Sequence, residues 1–307
     1  MSEQPIITFI ICTYNRARYL DETLNSLREN DFTNSNCKLL VVDNNSSDET
    51  PAVVKKHRES LGKDGKAIHY IKETNQGLSY ARNRGIQEAT TPYVVFLDDD
   101  IVATNTFISA WQSFFIRYPE AIAAGGKIHV QFDDPRPNWM SHFLLPLLGY
   151  HDLGDTFKKY SGSSYPFGGN MGFKKSIFKK IGLFHTDLGR KGESLNAGEE
   201  KELFRRLRER SVNIYYLPEA FIYHRVNSSR LTLDYIREQA LGLGQSMRLR
   251  LENASSTIFL KNWIIEFGKL LSSFPLAAVY LLSFQPAKAG MLFRFRWWIW
   301  KGYKNQI

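Results

Sequence analysis

Asp98, Asp99 and Asp100 close the run Tyr93-Val94-Val95-Phe96-Leu97, so three carboxylates stand where an apolar segment gives way to solvent. Anions packed so closely repel one another, and a hard divalent cation held through oxygen, together with sugar hydroxyls, would satisfy them. A polar turn is the other reading, because an Asp side chain readily bonds its own backbone. Asp43 ends a second apolar run, Lys38-Leu39-Leu40-Val41-Val42, where it is placed to accept bonds from a ribose or a base, or to make a turn with Asn44 and Ser46. Arg82 carries a guanidinium suited to a diphosphate, or else lies on a solvated helical face. Glu199 and Glu200 form another acid pair, just after Gly198; at a helix start they stabilise it by about 0.3–1 kcal/mol through the dipole.

The elements that must carry these groups are visible in the hydrophobic pattern. Tyr93 to Leu97 reads as a strand covered on both faces, as in a parallel sheet, Ile6 to Cys12 as a central strand, and Lys38 to Val42 and Ala67 to Ile71 as further strands. Leu20, Leu24 and Leu27 follow the first strand at helical spacing, which is the order of a βαβ unit. Ser79 resembles a helix N-cap ahead of Arg82. Phe107 to Phe115 predicts another amphipathic helix, Ile122 to Val130 a strand, and Leu203, Phe204 and Leu207 the buried stripe of a helix that Glu199 and Glu200 begin. From Asp133 to Ser161 the prolines and glycines exclude one regular element, and Trp139, His142, Tyr150 and His151 there are candidates for acceptor contact or loop anchors. Gly168 and Gly169 let backbone come close to a ligand. Two short strands are expected near Ile214–Tyr216 and Ala220–Tyr223, then a helix from Leu233 to about Glu252. Ligands of such open α/β sheets collect beyond the carboxyl ends of the strands, where the acids lie.

Taken together, Thr13-Tyr14-Asn15-Arg16, Asp43 to Asp48, Asn75-Gln76-Gly77 with Ala81-Arg82-Asn83, and Asp98-Asp99-Asp100 resemble the inverting family 2 glycosyltransferases, from about Ile6 to His224. The resemblance implies a GT-A fold: a Rossmann-like α/β mixed, mostly parallel sheet flanked by helices. It implies a nucleotide-sugar site built from Thr13, Tyr14, Asn15, Arg16, Asp43, Asn75, Gly77, Arg82, Asp98, Asp99, Gly169 and Asn170. Asp98 takes the ribose, and Asp100, with His224, holds a divalent Mn2+ or Mg2+. The family's acid pair falls on Glu199 and Glu200, with the second as general base; Glu stands at Glu200 where Asp is usual, so Glu199 stays open as the alternative. The implied reaction moves a sugar from a nucleotide diphosphate sugar, UDP-sugar favoured, to an acceptor hydroxyl of a saccharide or lipid-linked acceptor, by metal-assisted inverting displacement. Polysaccharide or glycolipid synthesis is the setting. A catalytically silent nucleotide-sugar-binding or scaffold protein at the membrane is the alternative.

Composition narrows the classes. With 307 residues, 43% hydrophobic and 23% charged, the chain can bury a large core. No G-x-G-x-x-G follows the first strand, which argues against a nicotinamide or flavin enzyme. Two cysteines, Cys12 and Cys37, are too few for a disulfide framework. The first residues lack a basic segment leading into an apolar one, so a cytoplasmic start is expected. Net charge is +9, and Ser255 to Ile307 holds seven basic residues against the single acid Glu266, with four of the six tryptophans. Cationic and aromatic enrichment suits an anionic membrane surface better than nucleic acid. Two regions are therefore expected: 1–254 as the nucleotide-sugar-binding domain, and 255–307 as a helical, membrane-associating tail, peripheral or monotopic at the cytoplasmic membrane face. Leu270 to Ala287 is uncharged, but Ser272, Ser273, Pro275, Gln285 and Pro286 dilute it, and an interfacial or re-entrant segment is preferred over a span.

Overall fold

A computed structural model describes residues 7–30, 37–60, 68–190, 198–251 and 256–304. The expected strand starts at Ile6 and Ala67 and the expected boundary at Ala254 lie outside them. The chain packs as two compact units, one made of Met1–Gln131 with Gly149–Arg225 and the other of Phe132–Leu148 with Val226–Ile307.

In the first unit the apolar runs become β1 (Ile7–Thr13), β2 (Lys38–Asp43), β3 (Ile68–Lys72) and β4 (Tyr93–Leu97), separated by α1 (Ala17–Arg28), α2 (Thr50–Ser60) and α3 (Leu78–Glu88). All three pairings among these strands are parallel. Then follow β5 (Ile101–Ala103), α4 (Phe107–Arg117), β6 (Ala123–Phe132), β7 (Lys158–Lys159), β8 (Asn170–Lys174), α5 (Phe178–Ile181), α6 (Glu199–Glu209) and β9 (Ile214–Val226). The sheet order is β3-β2-β1-β4-β8-β6-β9-β5, with β7 beside β9. Beyond β4 it turns antiparallel, through β8 on β4 and β6 on β8. The result is a mixed sheet flanked by helices. Alternation along β1 shows both faces covered: Phe9 and Ile11 pack with Leu20, Leu24 and Trp111 of α1 and α4, while Ile10 packs with Ala81, Phe178, Leu203 and Phe204 of α3, α5 and α6.

Two local expectations change, and the structure adds a strand to which the sequence did not point. The two strands expected around Ile214–Tyr216 and Ala220–Tyr223 are one, β9, with Pro218 between the stretch that pairs with β7 and the stretch that pairs with β5. Asn170-Met171-Gly172-Phe173 is a central strand, with Trp111 occupying the space a side chain at Gly172 would need. Gly77 (φ 143) occupies the N-cap of α3, and Ser79 sits inside the helix, its hydroxyl donating to the Leu188 carbonyl at 2.8 Å.

The second unit is helical. It contains α7 (Leu233–Leu251), α8 (Ser256–Leu282), α9 (Pro286–Lys304) and a 3-10 segment, His142–Leu148. α7 and α9 meet backbone to backbone: a Cβ on Gly244 would strike the Ile299 carbonyl, and one on Gly302 the Leu241 carbonyl. Ala277 of α8 packs with Ala289 and Leu292 of α9, and Phe143 lies against them.

Candidate active site

Strand register gathers the acids. Thr13 pairs with Asp43 and Leu97 with Asn170, so the ends of β1, β2 and β4 and the start of β8 meet at one edge. Residues immediately past β4 turn there: Asp98 is half-buried, and Asp99 and Asp100 are buried. The turn is pinned from below by Thr23, a hydroxyl on the apolar stripe of α1. It accepts the Ile101 N–H at 3.0 Å and lies 2.9 Å from the carbonyls of Asp99 and Ile101. Sequence reasoning passed over Thr23; its signal was a polar residue in phase with Leu20, Leu24 and Leu27, which a core position tolerates only with a partner.

Arg16 bridges two of the acids, with Nη1 2.8 Å from Asp99 and Nη2 2.6 Å from Asp100. Thr13 donates to Asp99 at 2.7 Å. Burial pushes the Asp99 carboxyl up to about 6, against the pull of Arg16. His224, carried on β9 opposite Ile101, reaches Asp100 with Nε2 at 3.1 Å. Gly149 lies on the His224 ring, its positive φ of +91 allowing that close approach. Asp98, Asp100 and His224 offer ligand atoms within 4.8 Å of one another, and two carboxylates with an imidazole are a donor set that could hold a divalent metal ion. The residues fit such an ion.

The loops after β1 and β2 lock together. Asn15 (φ 51) donates its N–H to Ser46 Oγ at 3.0 Å and accepts the Ser47 N–H on Oδ1 at 2.8 Å. Asp43, fully buried, accepts Ser46 N–H at 2.8 Å and the Tyr70 hydroxyl at 2.6 Å, so the turn arrangement is present at this residue. Asn44 ties down the next stretch, donating to the Asn75 carbonyl and accepting the Gly77 N–H, each at 2.7 Å. Tyr14 and Asn75 are exposed beside these loops. Asn170 faces inward: it donates to the Ala220 carbonyl at 2.7 Å and accepts Trp111 Nε1–H at 3.3 Å, and Gly126 leaves room for its amide.

The acid pair opens α6 after Gly198 (φ 128). Arg82 on α3, buried, donates to Glu199 at 2.9 Å and to Glu200 at 3.0 Å. Burial works against that guanidinium's charge, and Glu200, Glu199 and Asp98 more than restore it. The two glutamates differ in access, the Glu199 side chain being 6% exposed and that of Glu200 24%. Glu200 lies in a low-dielectric corner beside Glu199 and Asp98; burial, then those two carboxylates, push its pKa up to about 7 although Arg82 pulls it down. A Cβ on Gly168 would overlap Glu200 and Arg82, and one on Gly169 would come 2.6 Å from Asp98. Both glycines thus make room for chemical side chains.

Of the residues expected near an acceptor, Trp139 and His142 fall in the second unit. Tyr150 stacks on His129 with ring centroids 5.2 Å apart, and His151 bonds the Tyr160 hydroxyl at 2.6 Å. Asp152 completes a cluster that the sequence did not single out: burial raises its pKa, but His129, the Gly154 N–H, Lys127 and Tyr216 outweigh that and hold it near about 2.

The family model described as glycosyl transferase family 2 matches residues 8–182. Over 248 residues the chain is 23% identical to the glucosyl-dolichyl phosphate glucuronosyltransferase of Haloferax volcanii, covering 79% of this chain and 76% of that protein. It is 36% identical over 98 residues to the GalNAc(5)-diNAcBac-PP-undecaprenol beta-1,3-glucosyltransferase of Campylobacter jejuni, a match covering 31% of this chain and 30% of the other. Among solved structures, the mannosyltransferase PcManGT from Pyrobaculum calidifontis, in complex with GDP-Man and Mn2+, superposes with a TM-score of 0.61 at 17% identity, over 96% of this chain and 86% of that one. The architecture they share is the GT-A fold.

Proposed function

The chain belongs to glycosyl transferase family 2 and is a glycosyltransferase, and from that premise we propose an inverting, metal-assisted transfer of a sugar from a nucleotide diphosphate sugar to an acceptor hydroxyl. The observation that carries the reading is the meeting of Asp98, Asp100 and His224 with the Arg82–Glu199–Glu200 cluster at one edge of the sheet. Asp100 and His224 would hold the divalent ion, Asp98 would hold the ribose, and Thr13, Tyr14 and Asp43 would flank the nucleoside. The bound ion supplies charge neutralisation to the departing diphosphate. Arg16 keeps Asp99 and Asp100 close together despite their repulsion.

Glu200 is the general base. It is the more accessible of the two glutamates, one of its oxygens is oriented by Arg82, and its raised pKa makes it a competent proton acceptor near neutrality. Glu199, buried on the other arm of Arg82, orients the guanidinium. As the acceptor oxygen attacks the anomeric carbon opposite the diphosphate, its proton passes to Glu200, and the configuration inverts. No acid is needed for a leaving group already as good as a nucleoside diphosphate.

A UDP-sugar donor and a saccharide or lipid-linked acceptor complete the reading. The names of the Haloferax and Campylobacter relatives, which carry dolichyl phosphate and PP-undecaprenol, support a lipid-linked one. The second unit would hold the enzyme on an anionic membrane at its cytoplasmic face. Calorimetric titration of UDP and GDP with Mn2+, with and without chelator, followed by NMR assignment of the product anomer, tests the proposal. Equal nucleotide affinity with and without metal would overturn the ion's role, and retention of configuration would overturn the mechanism.

A further inference from the structure

The second unit contains an apolar pocket of about 440 Å³ among α7, α8 and α9, walled by Trp263, Phe267, Leu270, Phe293 and Trp297, with Arg296 in its lining. Arg296 is half-buried, stacks over Phe143 at 5.0 Å and reaches Ser273 Oγ at 3.5 Å. Glu266 shares the wall, but Lys269 already holds it at 2.5 Å. Glu266 attracts Arg296 but is paired with Lys269, and a guanidinium has five N–H donors, so a cation set in aromatic walls can still attract an anion that brings its own apolar body. Around the pocket the surface is apolar as well. The helical stretch Trp263–Leu282 is long and apolar enough to cross a membrane, yet only 11% of it is buried, and Ile264, Leu271, Phe274 and Leu282 face outward.

Crossing is disfavoured by the partner of α8. α9 packs along it and carries Arg294, Arg296, Lys301 and Lys304, and each such cation is costly at a bilayer centre. Near an anionic surface each is instead attracted. The charge and the exposed aromatic rings therefore favour one occupant, an anionic phospholipid of the bilayer.

We propose that the α7–α8–α9 pocket is a phospholipid site, in which Arg296 takes the phosphate and Trp263, Phe267, Leu270 and Trp297 take the proximal part of one acyl chain, while α8 lies in the plane of the interface. The inference deepens the membrane-bound reading above and rests on it.

The full chain is tested with two probes. Dihexanoylphosphatidic acid, used below its micelle concentration, should change tryptophan fluorescence saturably, and dihexanoylglycerol, which lacks phosphate, should bind at least about tenfold more weakly. Arg296→Gln should remove that preference, Leu270→Trp should block the pocket, and Mn2+-dependent nucleotide binding should persist in both. Vesicles of phosphatidylglycerol and phosphatidylcholine then test the bilayer separately. Sedimentation with vesicles but no saturable binding of monomeric lipid would overturn the pocket and leave the membrane reading intact; failure to sediment at all would overturn the membrane reading itself. Farnesyl phosphate binding much tighter than phosphatidic acid would reassign the pocket to an isoprenoid lipid and overturn the phospholipid assignment. A concentration-dependent dimer that buries Trp297 would overturn it too.

Discussion

Glu199 and Glu200 are neighbours in sequence, yet their surroundings differ: the Glu199 side chain is 6% exposed and that of Glu200 24%. Glu200→Gln should lower kcat by about a hundredfold or more, the usual scale of general-base catalysis, with donor affinity nearly unchanged; Glu199→Gln should do less. Stopped assays at saturating donor check this, and the reverse ranking would move the base to Glu199. The pH dependence has a definite sign. A base must be ionised to act, and a pKa raised to about 7 means that kcat/KM falls about tenfold per unit as pH drops below that value and levels off above it. An acid limb near 4.5 would contradict the buried, carboxylate-crowded setting. Gly168→Ala places a methyl group inside the Arg82–Glu200 contact, so it should damage turnover much as loss of the base does while leaving β8 and the fold in place; circular dichroism alongside kcat separates the two.

Elements bring these residues together through close approaches that glycine permits. Where α7 crosses α9, Gly244 and Gly302 leave no room for a side chain. Gly302→Val must therefore drive the helices apart, at a cost of about 1–3 kcal/mol for overpacking. The expected outcome is a lower melting temperature for the second unit, read as intensified binding of an apolar dye, with metal-dependent nucleotide binding retained. In the first unit the corresponding device is the clamp between α3 and α6. Arg82→Lys keeps the charge but cannot reach two carboxylates with a planar fork, so it should lose activity and shift the acid limb upward. Unchanged activity and pH profile in Arg82→Lys would show that the bidentate geometry is dispensable.

At the scale of the molecule, the two units have different chemistry. Ending the chain at Ala254 removes α8 and α9 but keeps α7, which within its unit packs chiefly against α9. Such a shortened chain should expose the α7 face, bind apolar dye and self-associate in size-exclusion chromatography, and should no longer sediment with anionic vesicles. Continued vesicle binding would place the membrane contact elsewhere.

The sequence by itself determined the strand-forming runs, the acids at their ends and the basic aromatic segment, because burial on both faces of a sheet and solvent at its edge write themselves into local composition. Asp98, Asp100 and Glu200 were legible for that reason, with the family resemblance assigning their roles. Tertiary structure alone decided which side chains the site has at its disposal. Asp43 and Asn170 lie at the expected places yet spend their polar atoms on Tyr70, Ser46, Ala220 and Trp111. Arg82, which looked like a diphosphate ligand or a solvated surface residue, is a buried clamp for two glutamates more than a hundred positions away. Thr23 carried no motif, and Gly168, expected to admit a ligand, makes room for Glu200 and Arg82. Partners so distant in the chain leave no periodic trace in it, and only the packing of α1 under the acid turn, and of α3 against α6, brings them into contact.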